Sequence, residues 1–177
     1  MNYESLPKYR NFQGLKIISK GGKMMGNCCD SSNKKIINEN TIVCPSCKNK
    51  AKNVQLNTIK SMMKPSVLGS INAMEIHYFC STKDCNVVYF DRSDKEYLLS
   101  DIKVDVHQKD DSLSTPICYC FDWTKEKIKQ YVENEITPNP LEHIRANIKE
   151  NRCGCEVNNP QGSCCLGNVT KYIKGLA

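Results

Sequence analysis

The sequence lacks the features that mark membrane and exported proteins. No apolar run approaches the roughly 18 residues of a membrane span, and the longest apolar stretch near the start, residues 15–18, is interrupted by Lys16. The pattern therefore predicts neither membrane insertion nor a secretory signal. We expect a cytoplasmic protein, and in that reducing compartment clustered cysteines indicate metal binding rather than disulfides.

The sequence also has no dense basic stripe, although its formal net charge is +6. Residues 1–23 hold five of the Lys and Arg residues against one acidic residue, so residues 24–177 carry only +2. Nucleic-acid binding needs basic side chains concentrated on one surface, often with aromatic residues between them. We therefore expect no nucleic-acid partner.

No constellation for nucleophilic or acid–base catalysis is apparent among the three histidines. His107 lies near Asp105, Asp110 and Asp111, but in a polar stretch that is typical of a solvated linker. His143 follows Glu142 on a predicted helix without a recognisable nucleophile. We predict that the protein is not an enzyme.

The first two dozen residues show no periodicity, and residues 1–40 are predicted to form a disordered or irregular N-terminal segment. Residues 1–23 end in a Gly-Gly pair just before Met24 and Met25, as a ribosome-binding site read as protein would. One hypothesis is that translation starts at one of these methionines. The other is an ordinary basic tail.

Cysteine is abundant, with twelve residues, and the first four with metal-ligand spacing form a Cys-x2-Cys pair and a Cys-x4-Cys pair. The second pair is flanked by aromatic and β-branched residues, which predicts a β-hairpin with both cysteines in its turn. Such an arrangement completes the tetrahedral four-thiolate geometry of structural zinc. The predicted zinc ligands are Cys44, Cys47, Cys80 and Cys85.

The chain is predicted to have an α+β fold with two units. Residues 41–112 form a small, zinc-ribbon-like β domain, in which residues 57–69 supply a short helix or turn and residues 102–106 an alternating strand. A polar stretch near residues 112–116 separates it from a small helical domain at residues 116–175. There Thr124 or Asp122 and Asn139 are predicted N-caps, and a third helix follows Ser163.

The helical unit contains six further cysteines on two loops beside helix N-termini. Their thiolates would be stabilised by backbone N–H groups and the helix dipole, as suits an iron–sulfur cluster. Simple zinc binding is the alternative, although zinc would not require six thiols. These residues are Cys118, Cys120, Cys153, Cys155, Cys164 and Cys165.

The stretches "CYCFDWT" and "CGCEVNNPQGSCCLGNV" resemble the bacterioferritin-associated ferredoxin-like 2Fe-2S domain, in the form found in the CopZ-type copper metallochaperone family. "CPSC" and "YFCSTKDCNVVYFD" are similar to that family's N-terminal zinc-binding domain. The resemblance implies that Cys118, Cys120, Cys153 and Cys164 are the cluster ligands. The last pair departs from the simpler Cys-x2-Cys form, so Cys155 or Cys165 stays open as an alternate.

The resemblance implies a metal-binding protein with structural zinc and a 2Fe-2S cluster, acting in copper trafficking or its redox support, with a metal-trafficking or redox protein as partner. The alternative is a ferredoxin-like electron-transfer or cluster-carrier module without a link to copper. The 177 residues lack the family's Met-x-Cys-x2-Cys loop, which weakens direct Cu(I) delivery. Cys28 and Cys29 are candidate Cu(I) thiolates, with an idle pair as the other reading.

Overall fold

The computed structural model describes residues 42–176, and the fold is α+β, as predicted. Its first half is built on a four-stranded antiparallel sheet whose strands are paired in chain order. Its second half holds four helices and a two-stranded ribbon. The strands are β1 (Lys52–Val54), β2 (His77–Phe79), β3 (Val87–Asp91), β4 (Glu96–Leu98), β5 (Pro116–Cys118) and β6 (Trp123–Thr124).

The central strand β3 is buried along its whole length because the sheet is covered on both faces. One face packs against helices α1 (Leu56–Met62) and α2 (Pro65–Leu68) through a core that includes Phe79 and Tyr89. The other face carries a smaller core around Tyr78 and Phe90, together with the cysteines of the first system. Stacking of the Tyr78 and Phe90 rings, 5.4 Å apart, closes that smaller core.

Residues 102–106 were predicted to be a strand, and this prediction is wrong. A 3-10 turn at Leu99–Asp101 precedes them, and Ile102 pairs only through an isolated bridge to Met63. Ile102 and Val106 are nevertheless buried in the core that contains Tyr89. Burial of alternate side chains does not require strand pairing. The alternating apolar residues here belong to an irregular segment that contributes to the core.

The helical half follows the capping signals in the sequence. Thr124 caps α3 (Lys125–Glu133) by accepting from the Lys127 N–H, and Asn139 caps α4 (Pro140–Lys149) in a capping box with Glu142. Two further helices follow, α5 (Cys155–Asn158) and α6 (Leu166–Lys174), and Gly175 is the C-cap residue of α6. The common core includes Ile117, Trp123, Ile128, Ile144 and Val169.

The two halves are in direct contact. Helix α1 of the first half packs on α5 of the second. The stretch at residues 107–112, predicted to be near a linker, makes hydrogen bonds to both halves: the His107 N–H donates to the Tyr119 hydroxyl, and Lys109 donates to the Thr82 carbonyl. None of the helices in the described part of the chain is long and apolar enough to cross a membrane. The fold thus places one group of cysteines in each half, and the two halves pack against each other through α1 and α5.

Candidate metal centres

The first pair of cysteines lies in a tight turn that the backbone closes on itself. The Cys44 N–H donates to the Asn49 carbonyl and the Lys48 N–H donates to the Cys44 carbonyl, both at 2.9 Å. Lys48 takes a left-handed conformation with φ of 60°, which reverses the chain after the second cysteine. The turn thereby presents the thiols of Cys44 and Cys47 toward the β2–β3 hairpin.

The hairpin supplies the other two thiols, because Cys80 directly follows β2 and Cys85 lies two residues before β3. The Sγ atoms of Cys44 and Cys85 are 3.9 Å apart, and those of Cys47 and Cys80 are 3.7 Å apart. All four sulfurs lie within 4.8 Å of one another. A tetrahedron with zinc–sulfur bonds of about 2.3 Å has sulfur–sulfur edges of about 3.8 Å, so the four thiols fit one zinc ion.

The two thiols of the turn differ in their readiness to ionise. Burial raises the pKa of Cys44 to about 12. Burial alone would also raise the pKa of Cys47, but hydrogen bonding with the Thr82 hydroxyl and the Asn49 backbone lowers it to about 6. Cys47 therefore offers a thiolate at neutral pH, whereas Cys44 must lose its proton as the metal binds.

A lysine from outside the four-cysteine set holds the hairpin turn. Lys109 Nζ donates to the carbonyl oxygens of Thr82 at 2.7 Å and Cys85 at 2.8 Å, and it lies 3.9 Å from Cys80 Sγ. Four thiolates around a divalent zinc carry a net charge of −2, so a nearby ammonium group stabilises the site. Sequence reasoning missed this contact because Lys109 lies in a stretch that resembles a polar linker.

The second group of cysteines is assembled from three parts of the helical half. Cys118 ends β5, and Cys120 lies in the turn before β6. Cys155 is the first residue of α5, and Cys165 is the N-cap residue of α6. The predicted placement of thiols beside helix N-termini is therefore present in the fold.

The contacts within this second group favour two of the alternates that the sequence left open. Cys120 Sγ and Cys155 Sγ are 3.8 Å apart. Cys155 also contacts Cys164 and Cys165, and Cys165 contacts Cys118. Cys118, Cys155 and Cys165 are all buried. Cys118, Cys120, Cys155 and Cys165 thus form a continuous chain of neighbouring thiols, which we call the second thiol set.

Mutual hydrogen bonding separates these thiols into donors and acceptors. Contact with Cys118 and Cys155 lowers the pKa of Cys165 to about 4, and contact with Cys155 lowers that of Cys120 to about 6. The same contacts, with burial, raise the pKa values of Cys118 and Cys155. Cys165 and Cys120 therefore ionise more readily than Cys118 and Cys155, and soft thiolate ligands suit iron–sulfur clusters and Cu(I).

Two other sequence-based expectations concern residues away from these thiols. Cys28 and Cys29, the candidate copper ligands, lie outside the described residues. His77 lies three residues before Cys80 in the sequence and was therefore a candidate spare metal ligand, with an ordinary surface or capped strand residue as the other reading. It lies at the opposite end of β2 from the hairpin turn, with its ring centroid 6.4 Å from that of Tyr97.

Comparisons with known proteins identify the first half of the chain. Residues 41–103 match a CopZ-type family described as a zinc binding domain. The chain is 28% identical over 122 residues to the copper chaperone CopZ of Archaeoglobus fulgidus. This alignment covers 69% of this chain and 57% of that protein. The X-ray structure of the N-terminal domain of that CopZ matches with a TM-score of 0.61 and 25% identity, covering 73% of this chain and 96% of the solved one.

The chain therefore contains a zinc-binding domain of the CopZ type, with a four-cysteine metal site. The predicted resemblance is confirmed for this domain, whereas the ferredoxin-like half stays a prediction. The chain spans little more than half of the length of the A. fulgidus copper chaperone.

Proposed function

We propose that this chain is a metal-trafficking protein that is not an enzyme, in which a structural zinc supports a domain carrying a 2Fe-2S cluster. The observation that carries the proposal is the presence of two separate clusters of cysteine thiols in one chain. One is the four-cysteine site of the CopZ-type zinc-binding domain, and the other is the second thiol set.

The zinc in this proposal is structural because its site is closed. Four protein thiols fill a tetrahedral coordination sphere, and three of them are buried, which leaves no position for a substrate. Hydrogen bonds from Lys109 and the turn backbone stabilise the thiolates. The site supports the sheet but is not proposed to exchange metal during function.

The cluster would be held by the second thiol set, Cys118, Cys120, Cys155 and Cys165. We prefer Cys155 and Cys165 to Cys153 and Cys164 because the former pair is buried, whereas Cys153 and Cys164 are half-buried. When bound, a 2Fe-2S cluster supplies one-electron redox chemistry. The chain's part is to hold the thiols, exclude water and donate hydrogen bonds, such as that of the Asn158 side-chain amide to Cys120 Sγ at 3.6 Å.

Copper enters the proposal through the relative, whose name is copper chaperone CopZ. In this chain Cu(I) would be cargo, taken by Cys28 and Cys29 or by thiols of the second half that the cluster leaves unused. The cluster would then supply the electron that keeps copper as Cu(I), and the partner would be a protein that accepts or delivers the metal. The competing function is electron transfer or cluster transfer without copper.

Metal analysis tests the zinc and cluster assignments together. The full chain, purified without oxygen and reconstituted with iron and sulfide, should contain about one zinc, two irons and two sulfides and absorb visible light. Cys155→Ser and Cys165→Ser should lose the iron and the colour but keep the zinc, while Cys153→Ser should keep both metals. A colourless wild-type protein after reconstitution would refute the cluster assignment.

Copper titration separates the two functions. Cu(I) is added to the reconstituted protein in competition with a coloured Cu(I) chelator, and the Cys28→Ser/Cys29→Ser double variant serves as the comparison. Stoichiometric capture of Cu(I) with the cluster intact would support metal trafficking. Reversible reduction of the cluster without any capture of Cu(I) would favour the copper-independent electron carrier.

A further inference from the structure

The segment that carries the last four cysteines is fixed by side chains of the zinc-binding domain. We call residues 153–165 the thiol loop. Thr58, on α1, donates from Oγ1 to the Glu156 carbonyl at 2.6 Å. Tyr89, in the centre of β3, donates from its hydroxyl to the Pro160 carbonyl at 2.6 Å. Both contacts lie between Cys155 and Cys164 in sequence.

The Tyr89 contact is buried, and the Thr58 contact is partly buried because Glu156 is half-buried. Thr58 and Tyr89 are fully buried, and Asn159 and Pro160 of the thiol loop are also buried. A carbonyl oxygen can only accept, so each hydroxyl must donate, and burial raises the Tyr89 pKa so that this hydroxyl keeps its proton. A buried donor that loses its acceptor is costly, so each hydroxyl holds its carbonyl in place.

Thr58 also packs tightly against a glycine of the thiol loop. Gly162 of the thiol loop has φ of +64°, and a Cβ added there would lie 2.9 Å from Thr58 Oγ1. The loop is closed internally by Asn159, whose side chain donates to the Ser163 carbonyl at 2.9 Å and accepts from the Gln161 N–H at 3.2 Å. The thiol loop is therefore bonded both to itself and to two side chains of the zinc-binding domain.

We infer that Thr58 and Tyr89 are positioning residues for the second thiol set. They belong to the zinc-binding domain, yet they determine where Cys155 and Cys165 lie relative to Cys118 and Cys120. The zinc-binding domain would thus be a scaffold for the redox site as well as a separate folded unit. For its effect on the cluster, this inference rests on the proposed function.

The first test uses the zinc-loaded, cluster-free chain, so it does not depend on the cluster. Tyr89→Phe removes only a hydroxyl, and Tyr97→Phe is its matched control, since Tyr97 lies in the same core but its hydroxyl is 3.4 Å from the Ser70 carbonyl. Alkylation of Cys155 and Cys165, followed by peptide mass spectrometry, should accelerate about five- to thirty-fold in Tyr89→Phe, as expected for the loss of one such contact. Tyr97→Phe should leave the rate unchanged.

Thr58 provides the second arm, with rescue by a conservative change. Thr58→Val removes the donor at constant shape and should accelerate alkylation as Tyr89→Phe does, whereas Thr58→Ser should restore the wild-type rate. Zinc content and circular dichroism establish that each variant is folded. Unchanged alkylation in Tyr89→Phe, or equal acceleration in Tyr97→Phe, would overturn the inference.

The cluster-bound protein gives the final readout. Tyr89→Phe should shift the reduction potential and the visible circular dichroism of the cluster, and Tyr97→Phe should not. If the wild-type chain fails to take up iron and sulfide, the proposed function fails, yet the alkylation rates still decide the positioning role. A cluster in Tyr89→Phe with wild-type potential and wild-type alkylation rates would refute the positioning role alone.

Discussion

His77 and Asp91 face each other across strands β2 and β3, and both are about 1% exposed. One oxygen of Asp91 accepts hydrogen bonds from the Ser93 and Lys95 backbones and from the Ser93 hydroxyl. Its other oxygen, Oδ2, and His77 Nε2 are buried and have no hydrogen-bond partner among residues 42–176. The pair closes the end of the sheet opposite to the zinc site.

This burial predicts a pH dependence of stability that involves His77. Burial lowers the His77 pKa below its ordinary value of about 6.5, although Asp91 and Glu75 oppose the shift. Above about pH 6.5 the histidine is neutral in both states, and its contribution to stability is complete. As the pH falls below this value, the unfolded chain gains a proton that the folded chain resists, so the free energy of unfolding decreases.

The measurement is denaturant unfolding of wild type and His77→Gln from pH 7.5 to 5, at a fixed zinc concentration. The wild-type free energy of unfolding should fall more steeply than that of the variant, by at most about 1.4 kcal/mol per pH unit for one proton. Parallel pH profiles for the two proteins would contradict the prediction.

Cys44→Ser is expected to remove zinc from the first site and to destabilise the sheet. The Cys44 thiol is buried at one corner of the four-sulfur group, 3.9 Å from Cys85, and a serine hydroxyl is a poor substitute for a thiolate ligand. Zinc content should fall from about one ion per chain to far below one after dialysis against a mild chelator.

Ser46→Ala is the matched control for Cys44→Ser because Ser46 lies in the same turn and its hydroxyl donates to Glu96 at the surface. This control should retain its zinc and lose no more than about 1 kcal/mol of stability. Full zinc occupancy in Cys44→Ser after the same dialysis would show that three thiols suffice.

The N-caps of the helical half give a direct test of local stability. Asn139 Oδ1 accepts from the Glu142 N–H, and a Glu142 carboxylate oxygen accepts from the Asn139 N–H, both at 3.0 Å. Asn139→Ala should therefore destabilise the protein by about 1 kcal/mol in denaturant unfolding. Asn139→Asp, which keeps an acceptor at a helix N-terminus, should cost much less. Equal losses in both variants would show that the cap is not the cause.

Features that depend on residues close together in the sequence were predicted correctly more often than contacts between distant residues. The hairpin that carries Cys80 and Cys85 and the caps Thr124 and Asn139 depend on residues a few positions apart, and they are present as predicted. Strands β1 and β4 were not predicted because each has only three residues and no clear alternation of apolar residues.

Contacts between distant segments were beyond the reach of the sequence pattern. Thr58 and Glu156 are 98 residues apart, and nothing in the sequence around either residue indicates that they meet. The sequence could not decide which two of Cys153, Cys155, Cys164 and Cys165 are cluster ligands. Cysteines one or two positions apart are nearly the same distance along the chain from Cys118 and Cys120. Only the packing of α5 and α6 distinguishes the buried pair, Cys155 and Cys165.

Lys109 is expected to slow the loss of zinc from the first site. Its ammonium group donates to the Thr82 and Cys85 carbonyls and approaches Cys80 Sγ, so it fixes the hairpin turn and offsets the charge of the thiolates. Hydrogen bonds from a charged donor stabilise by about 1.5–3 kcal/mol. Lys109→Met, which keeps the aliphatic length, should therefore release zinc about ten-fold faster or more to a coloured chelator.

Lys83→Met is the matched control for Lys109→Met, since Lys83 lies in the same hairpin turn and loses the same charge. Its ion pair with Asp111, at 2.6 Å, is exposed on both sides, and exposed pairs contribute between about 0 and 1 kcal/mol. If the two variants release zinc at the same rate, the effect of Lys109 is one of net charge alone. If only Lys109→Met is faster, the directed hydrogen bonds to the turn retain the zinc.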